Sequence, residues 1–120
     1  AVLRRLSENE AREVDEVRFG DLLVNFVRHE VRLRGELIRL TPKEFKVLEI
    51  LIMEPGRAFS RLELLEQAFG YDYDGLERTV DVHVMNLRRK IEANLEQPIY
   101  VQTVYGIGYK FAFAGGNDVQ

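Results

Sequence analysis

The first clear pattern in the chain is an alternation of apolar and polar positions between Val17 and Leu40. β-branched and aromatic residues alternate there with charged ones, and the alternation breaks at Gly20-Asp21, His29-Glu30 and Gly35-Glu36. Short period-two runs separated by turn residues are typical of antiparallel strands. The segment therefore predicts a meander of about four strands with one buried and one solvent-facing side.

A helix is predicted directly after this meander. Thr41 is a suitable N-cap, Pro42 suits the first helical turn, and Glu44 completes a capping box ahead of an apolar run. Pro55-Gly56 should end the helix, because proline removes a backbone donor and glycine favours turn conformations.

A second capping box, Ser60 with Glu63, predicts a short second helix that ends at Gly70. A loop and a third helix, within 77–92, follow. Two helices joined by a Pro/Gly turn, then a loop and a third helix, predict a helix-turn-helix arrangement with a long turn.

The third helix is amphipathic when its residues are placed at about 100° intervals. One side is predicted to be buried and consists of Val80, Val84, Leu87, Ile91 and Leu95. The opposite side carries Arg78, Val82, Asn86 and Arg89, with Thr79 and Met85 on its flanks. His83 lies nearer the boundary, and Asp81 is expected to point away from the polar side.

After Pro98, two β-rich runs at 99–105 and 109–113 flank Gly106-Ile107-Gly108, which predicts a hairpin. The order of strands, three helices and hairpin predicts an α+β fold. We expect a winged helix-turn-helix with an N-terminal four-stranded antiparallel sheet and a C-terminal hairpin wing.

Composition narrows the class of protein. At 120 residues and 46% hydrophobic content, the chain suits one small domain. It contains no cysteine, no apolar run long enough to span a bilayer and no signal-peptide pattern. These features predict a cytoplasmic protein that does not associate with membranes.

Charge is unevenly distributed. The formal net charge is −3, yet residues 78–110 hold five Lys/Arg against three Asp/Glu. Because recognition depends on the local field rather than on the sum, the third helix and the hairpin could meet an anionic partner.

The polar side of the third helix has residue types that read base edges in the DNA major groove. Asn86 suits adenine, Arg78 or Arg89 suits guanine, and Val82 with Met85 suits the thymine methyl. Phosphates need cations, hydroxyls or backbone N–H groups. Candidates of that kind near the helix or on the hairpin are Thr79, Arg88, Lys90, Thr103 and Lys110. A tip with a glycine at position 106 could approach a groove closely.

Other interpretations stay open at this point. A helix face with mixed charges is often only a solvated surface. The negative net charge of the chain also favours a winged helix that binds protein rather than DNA. An enzyme is disfavoured, since no nucleophile stands beside a base and His29 and His83 lack metal-ligand companions. No metal or cofactor is expected.

Four motifs together resemble the DNA-binding effector domain of OmpR/PhoB-type response regulators. They are "LTPKEFKVLEIL", "RLELLEQAFG", "RTVDVHVMNLRRKIE" and "VQTVYGIGYKF", in this order. The resemblance implies a winged-helix domain over 17–113 that regulates transcription. It further implies the end of a truncated receiver domain at 1–6 and a linker at 7–16. The polar, glycine-containing tail at 114–120 is expected to be disordered from its residues alone.

The resemblance also implies site residues. DNA contacts in this family fall on Arg78, Thr79, Val82 and His83 in the first half of the helix, on Arg88 as a backbone contact, and on Thr103 in the wing. Met85-Asn86 and Tyr105 stand where some members carry arginines. The base preference of this domain is therefore expected to differ from that of those members. Together with Arg89 and Gly106, these residues form the predicted DNA-binding set.

Partners are implied in the same way. A receiver domain phosphorylated by a histidine kinase would drive dimerisation on direct-repeat promoter sites. The loop with Tyr71, Asp72, Tyr73 and Asp74 corresponds to the segment that touches RNA polymerase in relatives.

Overall fold

The computed structural model describes residues 16–70 and 77–112, which fall into two compact units, within 16–39 and within 40–112. The expected receiver end at 1–6 and tail at 114–120 lie outside the described residues, as does the expected linker apart from Glu16. Glu16 is the first residue of the first strand.

The first unit is the predicted four-stranded antiparallel meander. Its strands pair in sequence order and are β1 (Glu16–Phe19), β2 (Leu22–Asn25), β3 (Glu30–Leu33) and β4 (Glu36–Ile38). Arg34 and Gly35 both have positive φ, at 52° and 84°, as a tight two-residue hairpin turn requires. The buried positions alternate along the strands as the pattern predicts, and they are Phe19, Leu22, Val24 and Val31.

The second unit begins with two capped helices, α1 (Pro42–Met53) and α2 (Arg61–Phe69). The Glu44 N–H donates to Thr41 Oγ1 at 3.2 Å, and the Thr41 N–H donates back to the Glu44 carboxylate at 3.0 Å. Ser60 and Glu63 form the same reciprocal pair at 3.0 and 2.8 Å. Both predicted capping boxes are confirmed, and each cap stabilises its helix by about 1 kcal/mol.

The third helix, α3 (Arg78–Ile91), buries one apolar stripe against the rest of the second unit. Four of the five residues predicted for this stripe are buried: Val80, Val84, Leu87 and Ile91. The prediction for Leu95 is wrong. The chain leaves the helix at Glu92, whose φ and ψ are −95° and 134°, so Leu95 lies in the following turn and is 49% exposed.

The end of α3 is joined to the next strand by a buried carboxylate. Glu92 accepts backbone N–H groups from Ile99 at 2.8 Å, Tyr100 at 3.1 Å and Val101 at 2.9 Å. These three donors would otherwise be unsatisfied where the strand begins, and leaving such groups unpaired when buried is costly. Glu92 therefore fixes where the hairpin leaves the helix.

A second sheet completes this unit. It contains β5 (Phe59–Ser60), β6 (Val101–Val104) and β7 (Gly108–Phe111) in the order β5-β7-β6, all antiparallel. The hairpin of β6, β7 and their turn at residues 105–107, hereafter the wing, is confirmed with shorter strands than predicted. β5 was not predicted, because a two-residue strand has no measurable period.

Gly108 is required where β7 meets β5. A Cβ atom at this position would lie 2.0 Å from the Phe59 carbonyl oxygen, so only glycine allows the two strands to pair this closely.

α1 packs against α2, α3 and β7, which places the helices and the wing around one core. Of the helices in residues 16–70 and 77–112, none has the length and apolar character needed to cross a membrane.

Candidate nucleic-acid interface

α3 presents its polar side to solvent opposite the buried stripe. Arg78, Val82, Met85 and Arg89 are exposed, with Val82 at 57% and Met85 at 47%. Two bare apolar side chains on a surface helix suit contact with another apolar group, because solvated helix faces are usually polar. The amphipathic division predicted from the sequence is confirmed.

A shallow depression of about 200 Å³ lies on this side of α3. Its lining consists of Asp81, Val82, Met85, Asn86 and Arg89. Asp81 is part of this lining, but its carboxylate contacts Tyr109 and Arg61, which lie outside the lining. On the same surface, Arg89 Nη1 donates to Asn86 Oδ1 at 3.3 Å.

The Asp81 carboxylate connects α3 with the wing and with α2. It accepts a 2.6 Å hydrogen bond from the Tyr109 hydroxyl and lies 3.6 Å from Arg61 Nε. Burial and the negative charge of Asp81 raise the pKa of Tyr109 to about 12. Tyr109 therefore stays protonated and keeps donating to Asp81 at neutral pH.

Arg88 makes a second connection between α3 and the wing. Its Nε donates to the Val101 carbonyl at 3.0 Å and its Nη2 donates to Thr103 Oγ1 at 2.7 Å, while the guanidinium lies 5.3 Å from the Tyr109 ring centroid. Sequence reasoning assigned Arg88 to DNA phosphate alone. Its contacts give it a structural role as well, and they leave the Thr103 hydroxyl proton free to point outward.

Lys90, one of the predicted phosphate ligands, is engaged inside the protein. Its Nζ lies 2.6 Å from Glu44 Oε1, and Glu44 is only 3% exposed. Burial alone would raise the pKa of Glu44, but the hydrogen bonds from Lys90 and Thr41 outweigh it and hold the pKa below its usual value. The phosphate role expected for Lys90 stays a prediction.

Thr79 and His83 are half-buried on the flank of α3. The His83 ring lies 5.3 Å from the Phe69 ring, and its Nδ1 is buried without a hydrogen-bond partner among the described residues. Packing against α2 therefore directs part of this imidazole away from the exposed side. The DNA contact that the resemblance implies for His83 stays a prediction.

The wing ends in a strongly exposed tip. Tyr105 is 91% exposed, and Gly106 has a φ of 84°, which other residues adopt only with strain. The Ile107 N–H donates to the Val104 carbonyl and closes the turn. The tip thus presents a phenol group and an exposed backbone to a partner.

The predicted polymerase loop, Tyr71 to Asp74, lies outside the described residues.

Sequence reasoning missed the residues that hold the wing against α3. Asp81, Tyr109 and Arg61 lie on three different elements, and no spacing along the chain relates them. The one available signal was Asp81 itself, an acid on an otherwise basic helix, since such an acid often pairs with a neighbouring cation or hydroxyl.

Comparisons with known proteins agree with this arrangement. The family described as "Transcriptional regulatory protein, C terminal" matches residues 35–111. The uncharacterized transcriptional regulatory protein YclJ of Bacillus subtilis is 44% identical over 114 residues, which cover 92% of this chain and 49% of YclJ. The chain thus spans about half the length of the curated relatives it matches.

Two solved structures are similar in fold. Response regulator DrrB of Thermotoga maritima, an OmpR/PhoB homolog, matches with a TM-score of 0.77 at 30% identity, over 88% of this chain and 50% of DrrB. The Klebsiella pneumoniae RstA DNA-binding domain, in complex with the RstA box, matches with a TM-score of 0.74 at 35% identity, over 82% of this chain and 98% of that domain. This chain belongs to the transcriptional regulatory protein C-terminal family, as a winged-helix effector domain of the OmpR/PhoB response-regulator type.

Proposed function

We propose that this domain binds double-stranded DNA sequence-specifically and thereby regulates transcription. The outward side of α3 enters the major groove, and the wing lies on the adjacent groove or backbone. The observation that carries the proposal is the outward surface of α3, which combines guanidinium, amide and apolar groups above a buried stripe. It consists of the exposed residues Arg78, Val82, Met85 and Arg89 and of half-buried Asn86.

Two connections support simultaneous contact by α3 and the wing. Asp81 binds Tyr109 near the start of α3, and Arg88 binds Thr103 near its end. Elements held in this way reach DNA with a fixed spacing and lose less conformational entropy on binding. Half-buried Thr79 and the wing residues Thr103, Tyr105 and Gly106 complete the proposed contacts to phosphate and sugar.

The proposed partners extend beyond DNA. Since the curated relatives are about twice as long as this chain, we place the domain in a response regulator whose receiver is phosphorylated by a histidine kinase. Dimers would occupy direct repeats, and the loop at 71–74 would contact RNA polymerase. Regulation by binding needs no enzymatic activity in this domain.

The test is selection of bound sites from a pool of random-sequence duplexes. The chain should enrich one motif, and Arg78→Glu on α3 should reduce affinity for that motif more than tenfold, because each lost phosphate or base contact removes roughly 1–3 kcal/mol. Arg28→Glu, in the exposed turn between β2 and β3, makes the same charge change on the other compact unit. It should cost little.

Absence of any enriched motif, or equal losses for the two arginine variants, would contradict the proposal. A winged helix that binds protein instead of DNA would give this result.

A further inference from the structure

The contact between Asn86 and Arg89 defines how this pair can read DNA. Arg89 Nη1 donates to Asn86 Oδ1 at 3.3 Å, across the i, i+3 spacing that brings side chains together on one helix face. A guanidinium has donors and no acceptor, so the amide atom facing it must be the oxygen. The orientation of the Asn86 amide is thereby determined.

This orientation disfavours adenine recognition by Asn86. Bidentate contact with adenine needs the amide oxygen to accept from N6 while the amide nitrogen donates to N7. In this structure the oxygen already accepts from Arg89. Direct adenine reading, which the residue type suggested, would therefore require this oxygen to accept from Arg89 and from adenine N6 together, in an orientation that Arg89 already restricts.

The same contact favours guanine recognition by Arg89. Guanine offers two acceptors, O6 and N7, which suit the fork of an arginine. Arg89 is exposed, and a long exposed side chain loses rotamer freedom when it is fixed. The hydrogen bond to Asn86 already restricts the rotamers of Arg89 in the absence of DNA. The remaining N–H groups of Arg89 can still donate to a base.

The depression beside this pair suits a base edge better than a phosphate. Val82 and Met85 supply apolar surface to its lining, which suits the edge of a base better than a charged phosphate. The apolar group in the major groove is the thymine methyl. A thymine next to the guanine would place its methyl against Val82 and Met85.

We infer that Asn86 and Arg89 act as one unit, in which Asn86 is a positioning residue for guanine recognition by Arg89 and Val82 with Met85 accept the methyl of a neighbouring thymine. This inference deepens the proposed function and rests on it. It predicts that Asn86 affects preference at the base pair that Arg89 reads, and at no other.

The experiment uses the duplex selected by the unmodified 120-residue chain and a panel of its single base-pair variants. Arg89→Ala should lower discrimination at one G·C pair by about 5- to 150-fold. Asn86→Ala should lower discrimination at that same pair by about 2- to 10-fold, as expected for coupled neighbours. The double variant should lose no more than about 2-fold beyond Arg89→Ala.

Asn86→Asp separates positioning from a general loss of fit. Aspartate keeps an oxygen for Arg89, so preference for the G·C pair should survive even though the added negative charge weakens binding to all duplexes. For the neighbouring base pair, replacement of thymine by deoxyuridine should weaken binding by about 3- to 5-fold, and Val82→Ala with Met85→Ala should abolish this difference.

Different results identify different failures. If the unmodified chain selects no site, the proposed function is wrong and the inference falls with it. If a site is selected but Asn86→Ala changes preference at an A·T pair, adds fully to Arg89→Ala, or is not rescued by aspartate, the coupled unit is wrong and the proposed function stands. Indifference to the thymine methyl would remove the role of Val82 and Met85. Thermal unfolding should confirm that each variant is folded, since all four altered side chains lie on the outward side of α3.

Discussion

Arg88 donates from Nη2 to Thr103 Oγ1 at 2.7 Å and so connects the last turns of α3 to the wing. The same guanidinium holds the Val101 carbonyl at 3.0 Å. Arg88, whose residue type suits a phosphate contact, thus also makes hydrogen bonds within the protein. Arg88 therefore has a structural role in addition to the DNA-backbone contact proposed for it.

Arg88→Ala should reduce both stability and affinity. Loss of its hydrogen bonds should lower the free energy of unfolding by about 1–3 kcal/mol, measured by urea denaturation. DNA affinity should fall about equally for all duplexes, with a salt slope smaller by about one. Thr103→Val removes the hydroxyl but keeps the bond to Val101, so it should cost about 1 kcal/mol or less. A change in which sites Arg88→Ala selects would contradict the assignment of Arg88 to the backbone.

Gly108 and Gly106 should respond differently to alanine. At Gly108 the new Cβ would collide with the Phe59 carbonyl, so Gly108→Ala should separate β5 from β7 and cost about 2–4 kcal/mol. At Gly106 the surrounding space is open and only the positive φ opposes alanine, which costs about 1 kcal/mol. Thermal unfolding of both variants tests this order, and equal losses would mean that β5 does not pair with β7 so closely.

Glu92 should contribute more to the free energy of unfolding than an exposed acid nearby in the chain. Glu92→Ala leaves three backbone N–H groups without their acceptor and should lower the free energy of unfolding by about 2–4 kcal/mol. Glu96→Ala is the matched control, because Glu96 is exposed four residues later and should change stability by no more than about 0.5 kcal/mol. Similar small losses for both variants would show that Glu92 does not anchor β6.

The ion pair of Glu44 and Lys90 should make stability depend on acid pH. The pKa of Glu44 is lower in the folded protein than its usual 4.5, so the pair stabilises above 4.5 and this contribution is lost as the pH falls through the folded value. Glu44→Gln should therefore cost about 1–3 kcal/mol at pH 7 and progressively less between about pH 5 and pH 3.

The comparison for this pH effect is Glu36→Gln, which removes an exposed carboxylate from β4 and changes net charge equally. Urea denaturation across the acid range measures both variants. A Glu44→Gln deficit that stays constant down to about pH 3 would contradict the lowered pKa.

Features that depend on neighbouring residues in the chain could be predicted from the sequence. The capping boxes of Thr41 and Ser60 each lie within four residues, and the buried stripe of α3 follows from helical period alone. The prediction failed where the helix ended, because it extended the stripe to Leu95. Glu92 ends the helix by turning toward residues that lie seven to nine positions later, and no local rule anticipates that.

The sequence predicted which residue types lie on the candidate site, but it did not predict which of those residues contact one another. The outward position of Val82 and Met85 follows from the period of α3. Lys90 and Arg88 look alike as exposed cations in the sequence, yet Lys90 pairs with a glutamate 46 residues away and Arg88 with the wing. Tertiary packing decides which cation remains available to an outside partner.

The most direct test of the central claim is the salt dependence of DNA affinity. The claim is that a chain of net charge −3 binds DNA through the local basic surface of α3 and the wing. Affinity for the selected duplex and for a scrambled duplex should be measured by titration between roughly 50 and 300 mM salt. The account predicts a linear fall of log K with log salt, with a slope of about −3 or steeper, and affinity for the selected duplex about 10³-fold higher or more. Affinity that is independent of salt and equal for the two duplexes would contradict it.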